Sequence, residues 1–390
     1  MPKMSKSIVI VGGGAMGSSV AYFLATCIGD SANLIVVERD PTYRIASSSL
    51  SASSVRQQFS TPVSIQLSQF GYEFMAGLDK IGGPGSTGVS LTPRGYLFVG
   101  RADQAKELRA RTKLARSLGV ALQEYTQSEL QTAFSWLNVA DLEYGVRGLG
   151  GEGWFDGYCL MQTYRARAKA AGVTFVTGEV SGLVERNGRI SSVQLADGSE
   201  LATTIVVNTC GAWSNDLASK IGLALPIRAR RRSAFVVSCP TPIPDFPILV
   251  DTSRIYVRPE QNHFLCTHSP KPEDDLDDLP LDPDCHQFDD VIWPTLAERI
   301  PVFEALRLER AWAGYYEYNT IDQNGIVGKT EIENLFVAAG FSGHGLMHSA
   351  GVGRGLAELI AHGEYRSIDL SQLSPNRFAE GRQIVETGVY

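Results

Sequence analysis

Six residues near the start of the chain, Gly12-Gly13-Gly14-Ala15-Met16-Gly17, restrict its fold more than any other feature. They follow Ser7-Ile-Val-Ile-Val11, an apolar run that is β-branched at nearly every position, as suits a strand buried on both faces. They open a helical pattern over 15–25, and a second apolar run, Leu34-Ile-Val-Val37, ends in Glu38, twenty-one residues after Gly17. A strand, a G-x-G-x-x-G turn, a helix, a strand and an acidic residue at this spacing begin a dinucleotide-binding βαβ unit. Gly12 permits the tight turn, Gly14 lets the backbone approach a pyrophosphate, and Gly17 allows close helix–strand packing. Ala15 and Met16 fall at the helix N-terminus, where free N–H groups and positive potential favour phosphate. Glu38 can accept hydrogen bonds from the adenosine ribose, and its charge repels a 2′-phosphate. The pattern selects FAD or NAD and disfavours NADP.

The course of the chain after Glu38 separates these two. In a simple NAD dehydrogenase the rest of the sheet follows directly. Here a Ser-rich segment over 47–60 comes next, and further buried strands are predicted only at 205–208 and 335–339. That spacing implies one nucleotide domain interrupted by insertions, an α/β (α+β) chain of the glutathione-reductase-like arrangement. Between the strands, helices are predicted at 103–119, 159–171 and 351–361, and a strand at 173–177. Turn signals at Asn187-Gly188 and Asp197-Gly198 predict a hairpin-like stretch over 179–201. Strands of a different, antiparallel sheet are expected at 235–238 and 254–257. Residues 271–290 hold nine acidic residues and one lysine, and are expected to form a solvated loop.

With 390 residues, 44% of them hydrophobic, the chain is long enough for one large domain or two moderate ones with real cores. Its net charge of −7 argues against nucleic acid or an anionic membrane as partner. No apolar run is long enough for a membrane span, and the short polar start has no signal-peptide core. The six cysteines are scattered, which suits free thiols in a reducing, cytoplasmic setting rather than disulfides or a metal site.

Two late segments, Asn208-Thr-Cys-Gly-Ala-Trp213 and Gly340-Phe-Ser-Gly-His-Gly345, each follow a buried strand, where α/β sheets dock ligands. Together with the first motif and Ser349-Ala-Gly-Val-Gly353, they resemble the D-amino-acid oxidase/sarcosine oxidase/glycine oxidase (DAO) superfamily. Arg56-Gln-Gln-Phe-Ser60, Gly151-Glu-Gly-Trp-Phe-Asp156 and Trp312-Ala-Gly-Tyr-Tyr-Glu-Tyr-Asn-Thr resemble the FAD-dependent oxidoreductase domain-containing protein 1 group. The likeness runs over about residues 7–380. It implies a Rossmann-type FAD domain from 1–90, 145–225 and 318–390, and a substrate domain with a large mixed sheet from 91–144 and 226–317. It further implies that Gly12, Gly14 and Gly17 hold the diphosphate, Glu38 and Arg39 the adenosine end, and Ser48 and Ser49 the pyrophosphate or ribitol. Val180 lends its backbone to adenine, and Gly211 and Trp213 close the diphosphate side, Trp213 being equally suited to packing. Gly343, His344, Gly345, Leu346 and Met347 run along the flavin, where a backbone or positive group favours the reduced anion. His344 is expected as a flavin partner rather than a helix cap, and His348 as packing.

The same likeness points to an oxidoreductase that removes hydride from the α-carbon of a small carboxylated amine, with an imine hydrolysed by water. A secondary amino acid, such as an N-substituted glycine or an iminodicarboxylate, is the expected substrate. Arg56 and Arg258 are candidates for the carboxylate, since guanidinium matches it bidentately. Tyr256 lies on the strand face of Arg258, and Tyr315, Tyr316 and Tyr318 could form an aromatic cage. Arg228, Arg230, Arg231 and Arg232 are expected on a strand's solvated face or on a rim that attracts anions. Sarcosine oxidases tether flavin through a cysteine just ahead of the segment matching 315–322; none stands here, so non-covalent FAD is expected. The lysine associated with oxygen activation is missing near Phe264-Leu-Cys266, with His263 or His268 as substitutes only if protonated. The electron acceptor is therefore oxygen or an unknown carrier. Two other readings stay open: a FAD-stabilised assembly protein without turnover, and a flavin-dependent 2-hydroxy-acid dehydrogenase.

Overall fold

The computed structural model describes residues 6–80 and 88–389. A six-stranded sheet runs in the order Ile326–Lys329, Leu335–Ala339, Ile205–Asn208, Lys6–Val11, Ala32–Glu38, Thr174–Thr177. All pairs are parallel except the antiparallel edge formed by Ile326–Lys329. The interior strands are apolar on both faces because both faces are covered. On one side lie the helices Ala15–Ile28, Gly157–Ala170, Gly345–His362 and Pro62–Lys80, which share one core with Ile8, Ile10, Leu34 and Val36. On the other, a meander of Val180–Arg186, Arg189–Leu195 and Glu200–Ala202 packs Leu183, Val193 and Leu195 on Val9, Val11 and Val37.

The second sheet has eight strands in the order Arg307–Asn319, Ile227–Ser238, His263–His268, Ile255–Glu260, Ile248–Val250, Tyr96–Gly100, Tyr144–Gly148, Leu122–Thr126. Its pairs are antiparallel apart from Ile248–Val250 with Tyr96–Gly100. Phe235, Val257, Phe264 and Cys266 on one face of this sheet join a core with Phe288, Ile292, Leu296 and Phe303. That core explains a departure from the expected solvated loop over 271–290. Residues 271–284 are irregular, whereas Phe288–Ile292 is helical, with Phe288 and Ile292 buried.

The predicted helix over 351–361 proves longer, Gly345–His362, and begins on the Gly-His-Gly turn itself. The 19-residue helix Pro62–Lys80 was not predicted. One short stretch ties the sheets together. Ser47 donates to the Tyr315 carbonyl at 2.7 Å, Trp312 donates its indole N–H to the Leu50 carbonyl at 2.9 Å, and Arg258 donates to the Ala52 carbonyl at 2.9 Å. Among the described residues no helix is long and apolar enough to cross a membrane.

Candidate active site

A cavity of about 680 Å³ runs from Glu38 and Val180, past the glycine-rich turn, to Arg56 and Tyr256 between the two sheets. Its size suits a whole cofactor-sized ligand. At the first end, Gly12 has φ +96°, and a Cβ there would stand 2.6 Å from the Thr209 carbonyl oxygen. Thr209 fastens this turn by donating its hydroxyl to the carbonyls of Val11 and Gly12 at 2.8 and 2.9 Å. Gly17 does not line the cavity. A Cβ there would stand 1.8 Å from the Gly12 oxygen, so its role is the close helix–strand approach. Glu38 accepts from the Gly13 N–H at 2.7 Å through one carboxylate oxygen and from the Asp40 N–H at 2.9 Å through the other. It thus organises the glycine turn that it flanks.

The helix Ala15–Ile28 has no side-chain cap of its own, and the Ala15 N–H donates to the Ser48 hydroxyl at 3.0 Å. Ser48 lines the cavity with Ala15 and Met16. Ser49 does not line it, and its buried hydroxyl finds no partner among the described residues. Arg39 lies 3.9 Å over the Trp213 ring, which meets Tyr315 edge-on at 5.7 Å. Trp213 and Gly211 (φ +57°) line this side, and Val180 lines the cavity with Glu38.

At the far end, Gly343, Gly345, Leu346 and Met347 line the wall at the start of the helix Gly345–His362. Gly343 has φ +90°, and a Cβ there would collide with the Tyr316 ring at 2.4 Å. His344 occupies the N-cap position, but its ring makes no capping bond. Its Nε2 instead lies 2.9 Å from an Arg56 nitrogen, and the ring packs edge-on to Phe59. Burial, then the Arg56 guanidinium and His348, hold the His344 imidazole well below its usual range. Nε2 is therefore the acceptor from Arg56. Arg56 is 4% exposed; it also donates to the carbonyls of Gln58, at 2.7 Å, and Gly388, and lies 4.0 Å over Phe59. Buried Glu152 holds this segment, accepting from the Gln57 N–H, the Gln58 side chain and the Tyr96 N–H.

Tyr256 and Tyr316 both line the far end, and the buried Tyr256 hydroxyl faces Ser54, Tyr96 and Arg258. Arg258 does not line the cavity. It is on the Tyr256 face of its strand, but its guanidinium is taken by the carbonyls of Ala52 and Pro259 and by Glu260. Arg232 takes the place expected of Arg258 on the wall. Rather than facing solvent, its side chain is 10% exposed, pairs with both Asp275 oxygens at 2.6 and 2.8 Å, and lies 4.7 Å over Tyr316. The acidic segment 271–284 folds onto this strand, with Asp275 and Asp277 also meeting Arg230. Tyr318 lies beneath Arg230, outside the cavity. Burial and the arginines 254 and 232 push His268 down, so it is no cation near neutrality. Glu152, and Glu317 on the cavity wall, are not singled out by the sequence, because their chain neighbours give no hint that two sheets converge on them.

An elongated cavity with a glycine cradle and helix N-terminus at one end, and a second glycine turn and helix N-terminus at the other, fits a dinucleotide bearing a ring system. Such a site on a two-sheet α/β body defines a flavin-dependent oxidoreductase. A profile of the DAO (FAD dependent oxidoreductase) family matches residues 7–359, and the chain belongs to that family, with FAD as its cofactor. It is similar to FAD-dependent oxidoreductase domain-containing protein 1 of Xenopus laevis, 35% identical over 428 residues, covering 100% of this chain and 86% of that one. It is also similar to sarcosine oxidase subunit beta of Rhodobacter capsulatus, at 24% identity, covering 99% of this chain and 92% of that subunit. Among solved structures, L-proline dehydrogenase from P. horikoshii superposes with a TM-score of 0.83 at 24% identity, covering 97% and 99% of the two chains.

Proposed function

We propose that this chain oxidises the C–N bond of a small carboxylated amine, preferring a secondary amino acid such as an N-substituted glycine or an iminodicarboxylate. The observation that carries this reading is Arg56, a buried cation at the cavity end beyond the Gly-His-Gly turn. Its position suits a charge-assisted bond to a carboxylate, which is stronger in a site closed to water. FAD, when bound, supplies the hydride acceptor for the substrate α-carbon. The chain contributes placement: Arg56 orients the acid group, the Tyr256 hydroxyl offers a hydrogen bond, and Tyr96 and Tyr316 wall the chamber. His344, uncharged and accepting from Arg56, fixes that guanidinium and supplies no strong acid. The amine therefore enters deprotonated, and the imine released by hydride loss is hydrolysed by water.

We propose further that the six-stranded sheet belongs to a FAD domain and the eight-stranded sheet to a substrate domain, the latter taking in Tyr144–Gly148. Anaerobic mixing of the flavoprotein with N-substituted glycines, iminodicarboxylates, D- and L-amino acids and 2-hydroxy acids tests the activity. Bleaching of the flavin by secondary amino acids is expected. Bleaching by hydroxy acids alone, or by nothing in the panel, overturns the reading.

A further inference from the structure

Glu317 sits on the strand Arg307–Asn319 where that strand reaches the six-stranded sheet, facing both strand-to-helix turns of the cofactor cavity. One carboxylate oxygen accepts from the Gly340 N–H at 3.1 Å, and the Phe341 N–H also donates to the group. A Cβ on Gly345 would lie 2.8 Å from its Oε1, and one on Gly211 3.7 Å from its Oε2. The carboxyl thus stands between the turn that follows Ile205–Asn208 and the turn that follows Leu335–Ala339. Two backbone amides leave part of its acceptor capacity unused, and its remaining surface opens into the cavity.

We propose that Glu317 is a cofactor-holding residue whose carboxyl receives hydrogen bonds from the hydroxyl groups of the FAD ribityl chain. The chemistry singles out that part of the molecule. A carboxyl repels the diphosphate, the adenosine ribose falls to Glu38 at the opposite end, and the ribityl hydroxyls are donors in between. Proton binding follows from the same placement. Burial already pushes Glu317 up to about 7. FAD adds two phosphate charges and displaces water from the cavity, and both disfavour a carboxylate further. Hydrogen bonds received from the ribityl hydroxyls favour the carboxylate and oppose this shift, but a protonated carboxyl still accepts through its carbonyl oxygen, so with the phosphate charge and the lost water dominant FAD binds the protonated form better.

The other ionisable groups lining the cavity towards adenosine are Glu38, Arg39, Asp40, Tyr43, Glu179, Cys210, Asp216 and Lys220. Beyond the Gly-His-Gly turn they are Arg56, Tyr96, Arg232, Tyr256, His344, Tyr315 and Tyr316. Burial keeps the Cys210 thiol and the Tyr316 phenol protonated and His344 neutral, so these three do not change charge near neutrality.

The test is fluorescence titration of flavin-free protein with FAD from pH 6 to 9, comparing the parent with Glu317→Gln and Glu317→Ala. The parent Kd should rise above pH 7, approaching tenfold per unit for one linked proton. Glu317→Gln, isosteric and always neutral, should bind with a flat profile, and Glu317→Ala should be flat and weaker throughout. Far-UV circular dichroism checks that each variant is folded, and Glu317→Gln alone decides the matter should Glu317→Ala not fold. A flat parent profile, or a Glu317→Gln profile with the parent slope, overturns the proposal. No substrate enters the measurement, so it stands or falls apart from the amine-oxidation reading.

Discussion

Arg56 and Glu38 mark the two ends of one cavity, and each makes a separate prediction at the level of a single side chain. Arg56→Ala should raise KM for a carboxylated substrate by about thirtyfold or more, since a desolvated charge pair is worth about 2–5 kcal/mol. Steady-state kinetics on whichever amine bleaches the flavin measures this, and an unchanged KM removes Arg56 from the binding site. Glu38→Ala should weaken FAD retention through the adenosine contact, at about 1.5–3 kcal/mol for each bond to a charged group. It also deprives the Gly13 and Asp40 amides of their acceptor, so Glu38→Gln, which keeps an acceptor, should lose less. Equal FAD affinity in all three proteins would place the adenosine elsewhere. The roles of Gly12 and Gly17 were legible in the sequence, because a positive φ and a close approach leave few residue choices. The partner of Arg258 was not. Strand alternation gave the face on which Arg258 lies, but the Ala52 carbonyl that occupies it arrives from 206 residues away.

Among the elements, those whose pattern is local were the ones the sequence made plain. The strands at 205–208 and 335–339 stand where their apolar runs put them. The helix Pro62–Lys80 was hidden because its buried face, including Val63, Ile65, Leu67 and Met75, packs against other helices in a polar-looking sequence. The strand Arg307–Asn319 was hidden by its arginines and tyrosines, which read as surface until the neighbouring strand Ile227–Ser238 and the acidic segment cover them. Two predictions belong here. Gly17→Ala places a methyl against the Gly12 carbonyl at 1.8 Å; the turn must open, and FAD retention should fall by at least tenfold, as read by flavin fluorescence after gel filtration. Arg377 and Asp322, each wholly buried, pair at 2.8 and 2.9 Å and link the segment after the last long helix to the turn following Arg307–Asn319. Arg377→Met strands the Asp322 carboxylate and should cost about 3–5 kcal/mol of stability. Denaturant unfolding with an unchanged midpoint would show the pair to be dispensable.

For the molecule as a whole, acid should be more damaging than mild alkali. His344, His348 and His268 are all held below their ordinary value by burial, His348 down to about 3. Each is neutral when folded and takes a proton when unfolded below about pH 6.5, so unfolding draws protons and stability falls as pH drops through that window. Glu317 acts in the opposite sense: raised to about 7 when folded, it contributes stability at low pH that is lost as pH rises from its ordinary 4.5 through 7. Buried Glu152, also raised, acts likewise. Three histidines outweigh two carboxyls, and Tm of the flavin-free protein should drop between pH 7 and pH 5, less so in His348→Gln. A Tm that falls as far in His348→Gln as in the parent would mean that this ring carries its proton in the fold. A different consequence follows from the stretch that runs from Ser48, at the first helix, to Arg56, eight residues on. Because Trp312 and Arg258 clasp it in between, loading of the coenzyme should also settle the segment that carries Arg56. Vitamin supply should then govern turnover as well as colour: in cells starved of riboflavin, the half-life of the chain should shorten, with cleavage concentrated between residues 47 and 56.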